Sequence, residues 1–217
     1  MRFKLICFDL DGTLIDDTEY IWSTLHDAFD VPHEIRRQYY SDFLEGRITY
    51  EEWFATDIQE WVKRGKGRLD LVRVIKQLRV MNGAEELLAK LRTDGYRLAI
   101  VSGSLDLVVE TLLPHAHFDH VLINQIKFHA DGRIAGGNAT PYDMDKKADG
   151  LRTIAAAEGL DLSQCVFVGD NENDVQIAAA AGFTIAFNSK SERLNAVADV
   201  VAARKDLRDV RQLIGED

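Results

Sequence analysis

At 217 residues, 46% hydrophobic and 29% charged, the chain has an ordinary globular composition, with room for one full-sized domain and a small accessory one. Its 26 basic and 36 acidic side chains leave a net charge of −10, an unfavourable field for nucleic acid or an anionic membrane surface. No apolar run approaches the ~18 residues of a membrane helix and no signal-peptide core opens the chain, so a cytoplasmic protein with reduced, buried thiols at Cys7 and Cys165 is expected.

Residues 3–8 read as a strand too apolar to alternate, as in a parallel sheet covered on both faces. The run ends in Asp9-Leu10-Asp11-Gly12-Thr13, where carboxylates need a cation or backbone donors to be tolerated. Residues 16–80 hold all three tryptophans and four of the six tyrosines without a strand run. They read as three or four helices forming a compact insert, one of them opened by a Thr49/Glu52 capping box. Helical patterns then alternate with apolar runs. Helices are expected over 83–95, 105–113, 147–159 and 173–182, and strands over 96–104, 120–124, 165–170 and 183–187. Glycines close the helices at 95, 159 and 182, and a hairpin is expected over 127–136 around Asp131-Gly132. Strand alternating with helix implies crossovers and a parallel sheet, with residues 1–15 and 81–217 as the core and 16–80 inserted after its first strand.

Sheets of this kind present functional residues at the carboxyl ends of their strands. Asp9 and Asp11 end the first, and Ser102-Gly103-Ser104 the second. Asp170 follows a third, with Asp174 four residues on. Lys146 and Lys147 begin a helix. Four acids converging with a hydroxyl and a lysine suit Mg²⁺, a hard cation that takes carboxylates, water and substrate phosphate. An ionised aspartate held there can attack phosphorus while its neighbour moves the proton. Residues 115–120, with His115, His117, His120 and Asp119, read as a polar connection rather than a metal site. The basic run over 63–79 reads as a solvated helix face.

The motifs Asp-Leu-Asp-Gly-Thr (9–13), Ile-Val-Ser-Gly-Ser (100–104), the following lysine and Gly-Asp-Asn-Glu-Asn-Asp (169–174), in that order, resemble the haloacid dehalogenase superfamily. Its phosphoserine phosphatase branch is especially similar to the C-terminal third. The resemblance implies a Rossmann-like α/β core with a helical cap, and a phosphatase acting on a small phosphorylated metabolite through an aspartyl-phosphate. On it, Asp9 is the nucleophile and Asp11 the general acid and then base. Ser102, Gly103 and Lys147, in preference to Lys146, hold the phosphoryl oxygens. Asp9, the Asp11 carbonyl and Asp170 ligate Mg²⁺, supported by Thr13, Asn173 and Asp174. Family dehalogenases lack the second acid, so Asp11 argues for phosphoryl chemistry. Related phosphoserine phosphatases place a cap arginine seven residues after an aromatic, where this chain, counted from Tyr50, has Asp57. Arg47 or the 63–68 cluster stand as substitutes; the cap's glutamate, expected near Thr18, is either Glu19 one place off or absent. The substrate, the oligomeric state, and the rival readings as a phosphotransferase or mutase, or as a phosphorylated switch, are left open.

Overall fold

The computed structural model describes residues 2–215; residues 1 and 216–217, the outer ends of the expected core segments, lie outside the described residues. The first apolar run forms β1 (Leu5–Phe8), and a tight turn leads to β2 (Ile15–Asp16). Four helices follow, α1 (Ile21–Ala28), α2 (His33–Leu44), α3 (Tyr50–Lys63) and α4 (Arg68–Ile75), before β3 (Arg79–Val80). The chain then alternates through α5 (Ala84–Thr93), β4 (Arg97–Leu105), α6 (Asp106–Leu112), β5 (His120–Phe128) and β6 (Ile134–Asn138). It continues through α7 (Lys147–Ala157), β7 (Cys165–Gly169), α8 (Val175–Ala180), β8 (Phe183–Phe187), α9 (Glu192–Val197), β9 (Val200–Ala202) and α10 (Arg208–Leu213).

Seven strands form one sheet in the order β6-β5-β4-β1-β7-β8-β9, parallel except for β6, which runs antiparallel to β5. β1 is central, with β4 on one side and β7 on the other. The chain order therefore reverses at β1, the switch point at which open α/β sheets bind ligands. Successive residues of β1 serve opposite cores. Ile6 and Phe8 join an apolar cluster with Leu87, Leu91, Leu107 and Val210. Leu5 and Cys7 join another with Leu151, Ile154, Phe167 and Ile177. Burial on both faces is why the run shows no alternation.

The expected α/β architecture is present, and most elements fall within a residue or two of their expected ends. β5 runs on to Phe128 because its second half pairs with β6 across the expected hairpin, whose turn closes from the His129 N–H to the Arg133 carbonyl. The helix expected from 173 begins at Val175, after a single 3₁₀ turn over Glu172–Asp174. Gly95 and Gly159 take the left-handed conformation. Gly182 does not: a Cβ there would lie 2.4 Å from the Ser163 carbonyl oxygen, so it is needed for close approach. The Thr49/Glu52 capping box opens α3. The segment over 16–80, expected to be free of strand, pairs at its two ends as β2 and β3, with Ile15 opposite Val80. Among the described residues no helix is long and apolar enough to cross a membrane.

Cys7 and Cys165 are buried free thiols, and burial pushes Cys165 up to about 11. Phe167, wholly buried on β7, carries its ring edge to 2.6 Å from where a Cβ on Gly169 would lie. Phe167→Ala is expected to destabilise the protein by about 3–5 kcal/mol, measured as a lowered urea midpoint at unchanged m-value.

Candidate active site

Three strand ends meet here. Asp9 continues β1, with its N–H donating to the Val168 carbonyl at 3.0 Å, so its backbone lies between the ends of β4 and β7. Gly12 then turns at φ +76°, and a Cβ there would fall 2.3 Å from Asp170 Oδ2. Glycine thus meets both a positive φ and a close approach. Thr13, fully buried, donates to Asp170 Oδ1 at 3.0 Å and fixes that carboxylate.

Carboxylate oxygens of Asp9, Asp170 and Asp174 lie within 4.8 Å of one another. Against them stands Lys147, wholly buried, whose Nζ donates to Asp9 Oδ1 at 3.0 Å and Asp174 Oδ1 at 2.7 Å. Burial opposes the charge on this ammonium, but Asp174 and Asp9 outweigh it and hold its pKa well above the usual lysine value. Burial raises the Asp174 carboxyl, with Lys147 pulling it back. Burial, reinforced by Asp9 and Asp174, pushes Asp170 up to about 8. One ammonium does not balance three crowded carboxylates, and the donors are all hard oxygens, the set a Mg²⁺ ion takes. Asp174 already accepts from Lys147 and from the Asp170 and Asn171 N–H groups. Asp9 and Asp170 are therefore better placed to offer lone pairs. Asn173, in the same turn, has a buried Oδ1 without a partner among the described residues. These features fit a bound divalent cation.

Asp11 is turned away from that cluster. Its Oδ2 accepts from the Ile21 N–H at 2.7 Å, the first amide of α1, and its Oδ1 from Ser104 Oγ at 2.8 Å. Burial pushes its pKa up to about 7, although the Ile21 bond pulls the other way. A carboxyl so poised can give and take a proton near neutral pH. Ser102 and Ser104 are both buried, and the Ser104 N–H donates to Ser102 Oγ at 3.2 Å. Gly103 between them leaves space filled by the Asp143 carboxylate, 2.1 Å from a would-be Cβ. The Gly103 carbonyl accepts from Trp22 Nε1 at 2.8 Å and Asn124 Nδ2 at 2.7 Å. Tyr50 OH donates to Asp143 Oδ2 at 2.7 Å. Trp22 and Tyr50 lie in the helical segment, so it is docked on the loop.

Of the residues expected from sequence, Asp9, Thr13, Lys147, Asp170 and Asp174 converge, and Asp11, Ser102 and Gly103 line the adjoining loop. Lys146 is exposed, in contrast to Lys147. Arg47 is held by Asp42 and Glu45. Lys63 and Arg64 are held by Glu60, and Arg68 by Glu110. None of these four cations contacts the cluster. Thr18 bonds Thr24, and Glu19 faces Lys190 at 3.9 Å. Asp57 lies buried beside His26 at 3.3 Å, and His26 Nδ1 accepts from Trp61 Nε1. Asp119 is held by Arg92 and Arg97, and His120 by Glu158, as expected of a polar connection. Ser104, Trp22, Asn124, Tyr50 and Asp143 were not foreseen as site residues. Only Ser104, two on from Ser102, carried a spacing that could have pointed to it.

The sequence profile of haloacid dehalogenase-like hydrolases matches residues 3–182. The chain is 29% identical over 212 residues to the phosphoserine phosphatase of Methanocaldococcus jannaschii, covering 97% of each protein. It is 36% identical over 215 residues to the phosphoserine phosphatase SerB2 of Mycobacterium tuberculosis, of which it spans 50%. A solved substrate-bound phosphoserine phosphatase complex superposes with a TM-score of 0.76 at 26% identity, covering 98% of this chain and 99% of that one.

Two outcomes are expected from the charge balance. Asp11 and Asp170 bind protons more tightly folded than unfolded, so their contribution to stability is lost as pH rises from about 4 towards 8. In EDTA the protein should melt lower at pH 8 than at pH 6, and added Mg²⁺ should raise the melting temperature more at pH 8. Lys147→Met strands buried carboxylates and should cost about 3–5 kcal/mol, read by urea denaturation in EDTA.

Proposed function

This chain belongs to the haloacid dehalogenase-like hydrolases, and from that premise we propose that it is a Mg²⁺-dependent phosphatase of a small phosphorylated metabolite, working through an aspartyl-phosphate. The observation that carries this reading is the division of labour between two neighbouring carboxylates. Asp9 sits with Lys147 and Asp170 in the charged cluster, whereas Asp11 is seated apart on Ser104 and the Ile21 N–H. One sits against an ammonium, and the other has an affinity suited to carrying a proton.

Asp9 attacks phosphorus, and the bond from phosphorus to the substrate alkoxide breaks as Asp11 gives that oxygen its proton. Water then attacks the phosphorus of the acyl phosphate. Asp11 takes the water's proton, and inorganic phosphate leaves as the Asp9 carboxylate is restored. Ser102, Lys147 and the Gly103 backbone hold the phosphoryl oxygens while charge shifts among them. Asp9, Asp170 and the Asp11 carbonyl would hold Mg²⁺, which supplies positive charge to the phosphoryl group; Thr13, Asn173 and Asp174 support that end of the site. The helical segment over 16–80 acts as a cap that keeps water from the first transfer. The seat of Asp11 favours hydrolysis over service as a stable phosphorylated switch, which has no need of a leaving-group acid.

Phosphoserine, the substrate named for the relatives, heads the candidate phosphomonoesters. A buried cation for a substrate carboxylate does not stand at Asp57, and Arg47 is engaged by Asp42 and Glu45. A panel of phosphorylated metabolites, phosphoserine included, should show phosphate release that depends on Mg²⁺. Asp9→Asn is expected to abolish turnover, a loss of at least about 10⁴-fold, with the melting temperature preserved. Retained turnover in that variant would overturn the assignment of the nucleophile.

A further inference from the structure

We propose that Trp22 is a positioning residue of the phosphate loop: its indole N–H, carried on α1, holds the Gly103 carbonyl and through that peptide orients the Ser102 hydroxyl. The inference rests on the phosphatase reading and deepens it, making the geometry of the loop depend on the seating of the helical segment.

The peptide joining Gly103 to Ser104 is a rigid plane, and both of its ends are tied. Its oxygen accepts from Trp22 Nε1 at 2.8 Å and Asn124 Nδ2 at 2.7 Å. Its N–H donates to Ser102 Oγ at 3.2 Å. Because Ser102 accepts from that N–H, its own hydrogen is left to donate to an anion. Remove one of the two donors on the carbonyl and the plane can rock about the other, carrying the Ser102 hydroxyl with it. Asn124 belongs to β5 and is in place whenever the sheet is folded. Trp22 arrives with α1.

Trp22 is itself held firmly. Its ring stacks on Trp61 with centroids 5.2 Å apart and an interplanar angle of 20°, and meets Phe54 edge-on at 5.5 Å. Trp61 is fixed in turn by its bond to His26 Nδ1 at 3.0 Å, and His26 Nε2 faces buried Asp57 at 3.3 Å. With Nδ1 accepting, Nε2 carries the hydrogen towards Asp57. The residue before Trp22 donates its N–H to Asp11. The start of α1 thus seats the proposed proton carrier and the phosphate loop together.

A packing role alone would make Trp22 matter for stability and be indifferent to Ser102. The test is a double-mutant cycle on the full chain in Mg²⁺, with p-nitrophenyl phosphate as the probe. Wild type, Trp22→Phe, Ser102→Ala and the double variant are compared in kcat, KM and melting temperature. Replacement of Trp22 by benzothienylalanine keeps the bicyclic ring, deletes only the N–H, and guards against a folding defect in the phenylalanine variant. Loss of the N–H is expected to lower kcat about tenfold with a smaller change in KM, and to add nothing once Ser102 is alanine. If the wild type is active, a benzothienylalanine protein with unchanged kcat overturns the proposal and leaves the phosphatase reading intact. So does a Trp22→Phe effect that multiplies fully with that of Ser102→Ala. A wild type inert towards every phosphomonoester overturns the phosphatase reading and this inference with it.

Discussion

Three carboxylates and one ammonium are enclosed at the end of β1, and the arrangement around them answers that imbalance. Like charges this close repel strongly where water is excluded. Each is therefore tied: Asp9 and Asp174 to Lys147, Asp170 to Thr13, and Asp174 again to two backbone amides. The ties fix the backbone. Gly12 has no room for a Cβ because Asp170 sits against it, and Gly169 is pressed in the same way by Asp174. The central place of β1 supplies the convergence, since only a strand with parallel neighbours on both sides can collect acids from its own end and from β7 while facing the loop that ends β4.

Moving Asp11 out of that cluster is the second arrangement that matters. Two donors from different parts of the chain hold it, a core hydroxyl and the first amide of α1. The helical segment therefore reaches the chemistry directly as well as covering it. Tyr50 on Asp143 and Trp22 on Gly103 join it to the loop at two further points.

Much of this was legible in the sequence, for physical reasons. Unbroken apolar runs marked strands buried on both faces, and acids at their ends marked the site. The choice of Lys147 over Lys146 agrees with its burial between Asp9 and Asp174. Other features were hidden because they depend on contacts between distant residues. Nothing local in Trp22 distinguishes a core aromatic from a donor to Gly103, a residue 81 positions away. Asp143, in an irregular loop, gave no periodic signal, and Asn124 reads as one more strand residue. The two-residue strands β2 and β3 were too short to register as a pattern. β9, α9 and α10 are short and lie beyond the last expected strand, 183–187.

Pairing β2 with β3 has an evolutionary side. Ile15 lies opposite Val80, so more than sixty residues depart from the sheet and return to it through one narrow neck. The sheet's register is blind to what lies beyond such a neck, and the length of the excursion changes the entropy of closing it only slowly. Descendants of this chain could vary the length of the excursion without altering the pairing of the central strands, although Phe54 and Gly67 within it lie against the β5–β6 hairpin at Gly137 and Arg133. Asp11 and Gly103, however, each borrow a donor from beyond the neck, at Ile21 and Trp22. A replacement segment would inherit an intact scaffold and intact acids but unseated partners. The first two residues of α1 are thus the part of the excursion least free to drift.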